Sequence, residues 1–392
     1  MVDVVVIGAG ISGAAAAYEL ATSGLSVTLL DRWGPAAMGS GWTLAGVRQL
    51  GRDPVELPLA QAAVADWERL DEKLDASTHY RQHGNLRLAR TESDMQQLSA
   101  MVAEQQRAGV PAEMLDQAAL QGLAPAVSRA IPGAAYCPTD GHADPHATVR
   151  AFLGAAERAG ATLRFGEAVL SIEVTGCRVT GVITELGRIA CGRVVVAAGV
   201  LGNRLLAPLG LAVPMVARAI TLLRSAAVSP ALSQVIGIAD ASCAGRQEVD
   251  GRFRFTSGSG PWQGALDWPD AESRAGAARS GPQLAPSLRG IARVAGLFGA
   301  LVPAVLDVPL AESWVGLVDM TPDALPVIEA ATEPLGLVMA HGFSGHGFCL
   351  GPVTGRILAA LARDERPNLP IAPFALSRFK TQTASAPMTL HG

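Results

Sequence analysis

The chain has 392 residues, enough for two domains and a large core. Its 49% hydrophobic and 17% charged residues exclude disorder, and its net charge of −4 without a basic cluster excludes nucleic acid as a partner. The longest apolar stretch, 294–306, is broken by Pro303 and too short to span a bilayer, so no transmembrane segment is expected and a buried helix or interface is. Cys137, Cys177, Cys191, Cys243 and Cys349 are scattered without a CxxC pair, which fits a reducing compartment and neither a disulfide framework nor zinc. With Asp3 and no basic leader at the start, a cytoplasmic location is expected.

Residues 2–7 form an apolar strand that runs into Gly8-Ala9-Gly10-Ile11-Ser12-Gly13; residues 26–30 form a second strand that ends on Asp31. Strand, glycine-rich turn, helix, strand and terminal acid make the βαβ unit that holds an adenine dinucleotide. Gly8 permits the tight turn, and Gly10 lets backbone approach a pyrophosphate. Gly13, with Ala14 to Ala17, lets the helix lie close on the sheet. The pyrophosphate would sit on the open N–H groups of Ile11, Ser12 and their neighbours at the positive helix end. Asp31 is placed to accept from a ribose 2′-OH.

Next come a glycine-containing loop over 39–52, a helix over 57–74 and a strand over 80–89 around Gly84-Asn85-Leu86-Arg87-Leu88. Residues 92–108 are charged and amphipathic, a surface helix. Asp144-Pro145 opens a helix that ends near Gly160, with an N-cap acid and proline at its first position. Short β runs follow at 169–174, 179–184, near Ile189 and at 194–198; the last is a buried parallel strand returning to the first sheet. Arg252 to Thr256 is a strand, 271–285 a surface loop, and 286–302 a helix stopping before Pro303. Residues 336–340 form a strand, 341–347 a glycine-rich turn and 351–362 a helix, with a frayed tail after Phe379. A dinucleotide domain thus begins the chain, is revisited in the middle and is completed near the end, while a β-rich domain fills the gaps.

His341-Gly342-Phe343-Ser344-Gly345-His346-Gly347-Phe348 is a second strand–turn–helix nest of backbone N–H groups. It is needless for the pyrophosphate but suits the pyrimidine end of an isoalloxazine, where charge accumulates on reduction. An ordinary turn is the alternative.

Taken in order, these motifs resemble the glycine/sarcosine/D-amino acid oxidase superfamily of FAD-dependent amine oxidoreductases. The fingerprint, Gly39-Ser40-Gly41 through Gln49, Asp140-Gly141-His142-Ala143-Asp144-Pro145, Val196-Ala197-Ala198-Gly199, Trp314-Val315-Gly316 with Thr321-Pro322-Asp323, and the Gly-Phe-Ser-Gly-His-Gly-Phe run all carry it. Within the superfamily the chain looks most like the catalytic β-type subunits of bacterial D-hydroxyproline dehydrogenases and opine oxidases, and like sarcosine oxidase β chains.

The resemblance implies an α/β fold: a Rossmann-like FAD-binding domain (1–79, 140–215 and 310–392) interleaved with a β-rich α+β substrate domain (80–139 and 216–309). It implies FAD contacts from Ser40, Gly41, Gly46 and Val47 along the flavin and Val169 at the adenine. Ala198 and Gly199 would lie near the ribose-pyrophosphate, Asp31 with Arg32 at the ribose, and Gly345, His346, Gly347 and Phe348 at the flavin ring. Monomeric sarcosine oxidases carry a carboxylate-gripping lysine where this chain has Cys349, and a flavin-linked cysteine where it has Gly316. Glycine oxidases carry an arginine where it has Val318. FAD is therefore expected to be non-covalent, and two of the usual substrate anchors are missing. Arg48, beside Gly46-Val47, is the remaining candidate for the carboxylate, with a structural salt bridge as its alternative. Arg252 and Arg254 are secondary candidates.

His346 is expected to donate a hydrogen bond near the ring rather than to act as a base. Cys349 reads as a small buried apolar residue rather than a nucleophile. His142 and His146 read as solvated residues at a helix start, with no metal site.

The expected activity is oxidation of the C–N bond of an amino acid or N-substituted amino acid. Hydride passes to flavin N5, and the resulting imine hydrolyses. One alternative is a dehydrogenase subunit of a hetero-oligomer that passes electrons to a partner or quinone; another is a non-catalytic flavin-binding subunit. A small-molecule amine or amino acid is the expected partner, with homo- or hetero-oligomers both compatible.

Overall fold

In the computed structural model, which describes residues 2–266 and 281–380, the strand Val2–Ile7 lies at the centre of a parallel sheet. Leu337–His341, Gly187–Val196, Val2–Ile7, Val27–Asp31 and Thr162–Phe165 follow one another in that order, all parallel. Val4, Val5 and Val6 are fully buried, as a continuous apolar run covered on both faces demands. Val327–Ala330 adds an antiparallel edge, and Val169–Thr175 with Arg178–Thr184 forms an antiparallel extension paired to the start of Gly187–Val196. The separate runs expected near Ile189 and at 194–198 are thus one long strand. Its first half pairs with the extension and its second half with the parallel core.

Two helices meet on one face of this sheet through small residues. The helix Ile11–Thr22 presents Ile11, Ala15 and Ala16 to Gly351 and Gly355 of the helix Gly347–Ala362. A Cβ at Gly355 would overlap that of Ala15, so the backbones touch only because both glycines lack one. This last helix begins four residues earlier than expected, and Pro352 lies inside its first turns at the loss of one backbone bond. The region expected as one helix over 57–74 divides into Leu57–Glu68 and Leu70–Leu74. The helix Pro145–Arg158 is capped by Asp144, which accepts from Ala147 N at 2.6 Å, as its sequence foretold.

A second, nine-stranded sheet orders Gly260–Pro261, Val216–Ala227, Arg252–Ser257, Cys243–Gln247, Val235–Ile238, Asn85–Ala89, Gly133–Cys137 and Glu113–Asp116. Leu310–Met320 also pairs with Val216–Ala227, so these residues join the second sheet rather than the first, on the far side of the division read from sequence. Alternation sets its two faces. Leu86, Leu88, Leu223, Phe253 and Phe255 share one hydrophobic core with the helix Leu288–Leu301, where Phe298 stacks on Phe255 at 4.6 Å. Asn85, Arg87, Ile220, Leu222 and Thr256 face the other way, into a cavity. Residues 271–280 of the expected surface loop and the tail 381–392 lie outside the described residues.

Candidate active site

A continuous cavity of ≈ 580 Å³ runs from the glycine-rich turn, past the His341–Phe348 turn, to the face of the second sheet. At its first end lie Gly8, Gly10, Ile11, Ser12, Asp31, Arg32, Val169, Ala198 and Gly199. Gly8 has φ +112°, and a Cβ there would overlap the Ala197 carbonyl. Gly10 offers the helix no side-chain cap of its own; Ser40 takes Ile11 N, and the helix N-terminus faces the cavity. Gly13 does not line the cavity; a Cβ there would overlap the Gly8 carbonyl, so it closes the helix onto the turn.

Asp31 also holds the turn itself. Its carboxylate accepts from Ala9 N and Trp33 N, both at 2.7 Å, while burial pushes its pKa up. Asp31→Ala should therefore leave the turn amides without an acceptor and weaken cofactor binding, at about 1.5–3 kcal/mol for a bond to a charged group. Titrating the apoprotein with the dinucleotide checks this, and unchanged affinity would show that Asp31 has no part in the site.

Ser40 accepts from Ile11 N at 2.9 Å, fastening the short helix Gly39–Trp42 to the fingerprint. Ser40 and Gly46 line the cavity, but Gly41 and Val47 do not. Gly41 packs against the Ala36 carbonyl and His146, and Val47 is fully buried opposite Gly141. The loop between them is clamped from the second sheet. Buried Arg246 donates to the carbonyls of Leu44 and Ala143 and contacts His142 Nδ1 at 2.9 Å. Arg254 donates to Thr43 O at 2.7 Å, pairs with Glu248 at 2.9 Å and lies over Trp314. Arg252 pairs with Asp250 at 2.5 Å. Neither Arg252 nor Arg254 reaches the cavity, so both drop out as carboxylate anchors. His142 is 3% exposed rather than solvated, and burial holds it neutral, lone pair toward Arg246.

At the third segment, Gly345, His346, Gly347 and Phe348 line the cavity beside Val318 and Gly316. Asp319 pins this turn by accepting from Gly342 N at 2.8 Å, and burial pushes its pKa up to about 6. His346 Nδ1 lies 2.9 Å from Glu56, which is itself paired to Arg52 at 3.3 Å. Burial would raise Glu56, but the Arg52 guanidinium and the hydrogen bond from His346 hold it below the usual range, so it is a carboxylate and accepts from Nδ1–H. Burial, reinforced by Arg52, pushes His346 down to about 4. Neutral His346 therefore turns the lone pair of Nε2, which has no partner, to the cavity wall. It accepts there rather than donates, the reverse of the sequence expectation. Cys349 is 1% exposed and lies behind the wall against the Arg48 carbonyl, an inert buried thiol as expected.

Arg48, Arg52 and Arg87 line the cavity together with Asn85. Arg48 donates to Leu50 O at 2.6 Å; burial lowers its pKa well below the usual, with Arg52 and Arg87 adding to the effect. Asp140 lies nearby but accepts from Gln49 N and Leu50 N, and burial pushes it up to about 6. Three guanidiniums thus face two carboxylates along one end of the cavity, Arg52 and Arg87 buried and Arg48 half-buried. A buried excess of positive charge is costly until an anion joins it. Of these residues only Arg48 and the His346 turn had stood out in the sequence. Arg52 and Glu56, four residues apart across a helix start, and Asn85 and Arg87, two apart on a strand, gave a spacing signal for shared faces but none for burial.

The residues at the fingerprint and at the His341–Phe348 turn fit FAD: a glycine cradle whose Cβ atoms would fill the space, a helix N-terminus facing the cavity and an unpartnered imidazole nitrogen. Fold and site together define a flavin-dependent oxidoreductase. A family model described as FAD dependent oxidoreductase matches residues 3–361, and the chain belongs to that family. It is 29% identical over 392 residues to 4-methylaminobutanoate oxidase (formaldehyde-forming) of Paenarthrobacter nicotinovorans, covering 96% of this chain but 46% of that protein. It is 28% identical over 440 residues to a D-amino acid dehydrogenase of Cereibacter sphaeroides, covering 96% of this chain and 95% of the relative. Among solved structures, glycine oxidase from Geobacillus kaustophilus superposes with a TM-score of 0.87 at 25% identity, over 96% of this chain and 98% of the other. No helix among the described residues is long and apolar enough to cross a membrane.

Proposed function

We propose that this flavoenzyme oxidises the C–N bond of an amino acid or N-substituted amino acid. The observation that carries the reading is the guanidinium cluster of buried Arg52 and Arg87 with half-buried Arg48, lining the same cavity as the His346 turn. FAD, when bound, supplies the hydride acceptor. Gly8, Gly10, Ile11 and Ser12 would cradle its pyrophosphate, Asp31 and Arg32 its ribose, and Val169 its adenine end. Ser40, Gly46 and the Gly345–Phe348 backbone would line the ring, with Gly13, Gly41 and Val47 supporting them from behind.

Arg48 and Arg52 hold the substrate carboxylate, and so fix where the α-carbon lies along the cavity. The neutral imidazole of His346 accepts from an N–H at Nε2, with Glu56 fixing its tautomer. Ile220, Leu222 and Ile236 supply apolar walls that exclude water while the C–H bond is broken. The same names among relatives support the substrate class: a methylamino acid oxidase, a D-amino acid dehydrogenase and a glycine oxidase.

Anaerobic flavin bleaching by D-amino acids, N-alkylglycines, iminodiacids and opines, set against matched amines without a carboxylate, tests the reading. Bleaching by the amines alone would overturn it. Reoxidation by oxygen, with and without a quinone, then tells oxidase from dehydrogenase. Gly316, lining the cavity, offers no thiol, so FAD should leave with the supernatant after acid or heat precipitation. Flavin retained in the pellet would mean a covalent bond elsewhere.

A further inference from the structure

Arg87 is the least satisfied cation of the cavity. It is 4% exposed, and its Nη2 has no hydrogen-bond partner among the described residues. The other buried arginines show what a structural role looks like in this protein. Arg246, 1% exposed, spends its donors on the carbonyls of Leu44 and Ala143, on His142 and on Glu248. Arg254 is held by Glu248, Thr43 and Trp314. Arg52 has Glu56. The acid near Arg87 is Asp140, whose oxygens already accept two backbone N–H groups and whose carboxyl burial pushes up to about 6.

Glycines flank Arg87 on two sides, with the Met101 side chain packed beside the second of them. The neighbour of Arg87 in register on the adjacent parallel strand is Gly237, which lines the cavity beside it. On the other side, a Cβ at Gly51 would come within 3.2 Å of Arg87 Nη2. Asn85, two residues earlier on the same strand face, adds an amide to the same wall and is also 4% exposed. Among the described residues Glu56 pairs with Arg52, while no ion pair joins Arg48 or Arg87 to a carboxylate.

We propose that Arg87, with Asn85 beside it, binds a second carboxylate on the substrate, so that this enzyme acts on dicarboxylic amino acids or dicarboxylic secondary amines. One carboxylate lies at Arg48 and Arg52, the other at Arg87. This rests on reading the cavity as the site of a carboxylate-bearing amine. A guanidinium matches a carboxylate in a fork of two N–H bonds, and a buried pair of this kind distinguishes a diacid from its monoacid by roughly 10- to 100-fold.

Two measurements on the FAD-loaded enzyme test it. In the first, inert acids are titrated while the flavin absorbance is followed: acetate, propionate and butyrate against malonate, succinate and glutarate. At least one diacid should bind tenfold or more tighter than any monoacid. In the second, kcat/KM for anaerobic flavin reduction is compared for iminodiacetate against N-methylglycine, and for D-aspartate and D-glutamate against D-alanine. The diacid preference should collapse in Arg87→Met and persist in part in Arg87→Lys, which keeps the charge without the fork.

Equal binding of diacids and monoacids by the parent enzyme overturns the proposal, and needs no variant to fold. So does an equal loss for both classes in Arg87→Met, which would make Arg87 a structural partner of Asp140. The two readings fail separately. If monocarboxylic amines bleach the flavin but no diacid is preferred, the subsite is wrong and the activity stands. If diacids bind through Arg87 but no amine bleaches the flavin, the subsite stands and the activity is wrong.

Discussion

Glu56→Ala should cost the protein about 3–5 kcal/mol of stability, the range for removing one partner of a buried ion pair. Glu56 is fully buried and serves two groups at once, Arg52 at 3.3 Å and His346 Nδ1 at 2.9 Å. Alanine leaves a guanidinium and an imidazole N–H without an acceptor in a place water does not reach. Glu56→Gln keeps the volume and one carbonyl acceptor, so it should lose less. Urea midpoints for the parent and both variants check this. A loss below about 1 kcal/mol for Glu56→Ala would mean that Arg52 finds another acceptor, and the carboxylate would not be what holds the site.

Arg48→Ala should raise the half-saturating concentration of a carboxylate-bearing substrate by roughly 10- to 100-fold, as for a lost charge-assisted pair. FAD content should stay near the parent's, because Arg48 lies at the arginine end of the cavity, away from the fingerprint. Amines without a carboxylate should be unaffected. The structure narrows what the contrary result would mean. Arg254, the obvious substitute from sequence, is committed to Glu248 and Thr43. A mutant that saturates like the parent would therefore place the carboxylate on Arg52 or Arg87, or show that the substrate has none.

The parts of this protein that were legible in its sequence are those where one local segment has to do a local job. Gly8, Gly10 and Gly13 are required by a turn and a helix within a few residues of each other, and Asp144 caps the helix it precedes. The substrate end is different in kind. The alternation of Asn85, Leu86, Arg87 and Leu88 assigns two faces to a strand but does not say which one meets solvent. Here both faces are enclosed: Leu86 and Leu88 join a hydrophobic core, and Asn85 and Arg87 line the cavity. His142 misled for the same reason: it stands at a helix start, where solvation is usual, yet Arg246 arrives from more than a hundred residues away to bury it. The polarity of His346 depended wholly on Glu56, 290 residues distant, and no spacing within its own motif encodes that partner.

The glycine contact between helices Ile11–Thr22 and Gly347–Ala362 bears on how the chain is made. The glycine-rich turn is synthesised more than 330 residues before the helix that seats against it. At about 5–20 residues per second, a ribosome takes roughly 20–70 s to travel between them. Throughout that interval the alanine face of the first helix has no Gly351 or Gly355 to cover it, and neither does the strand Gly187–Val196 have its neighbour Leu337–His341. Over that interval the glycine-rich turn lacks the surface that completes it, and an exposed apolar face of this kind is what chaperones hold. The turn and the helix that closes on it therefore cannot meet until translation has passed residue 355.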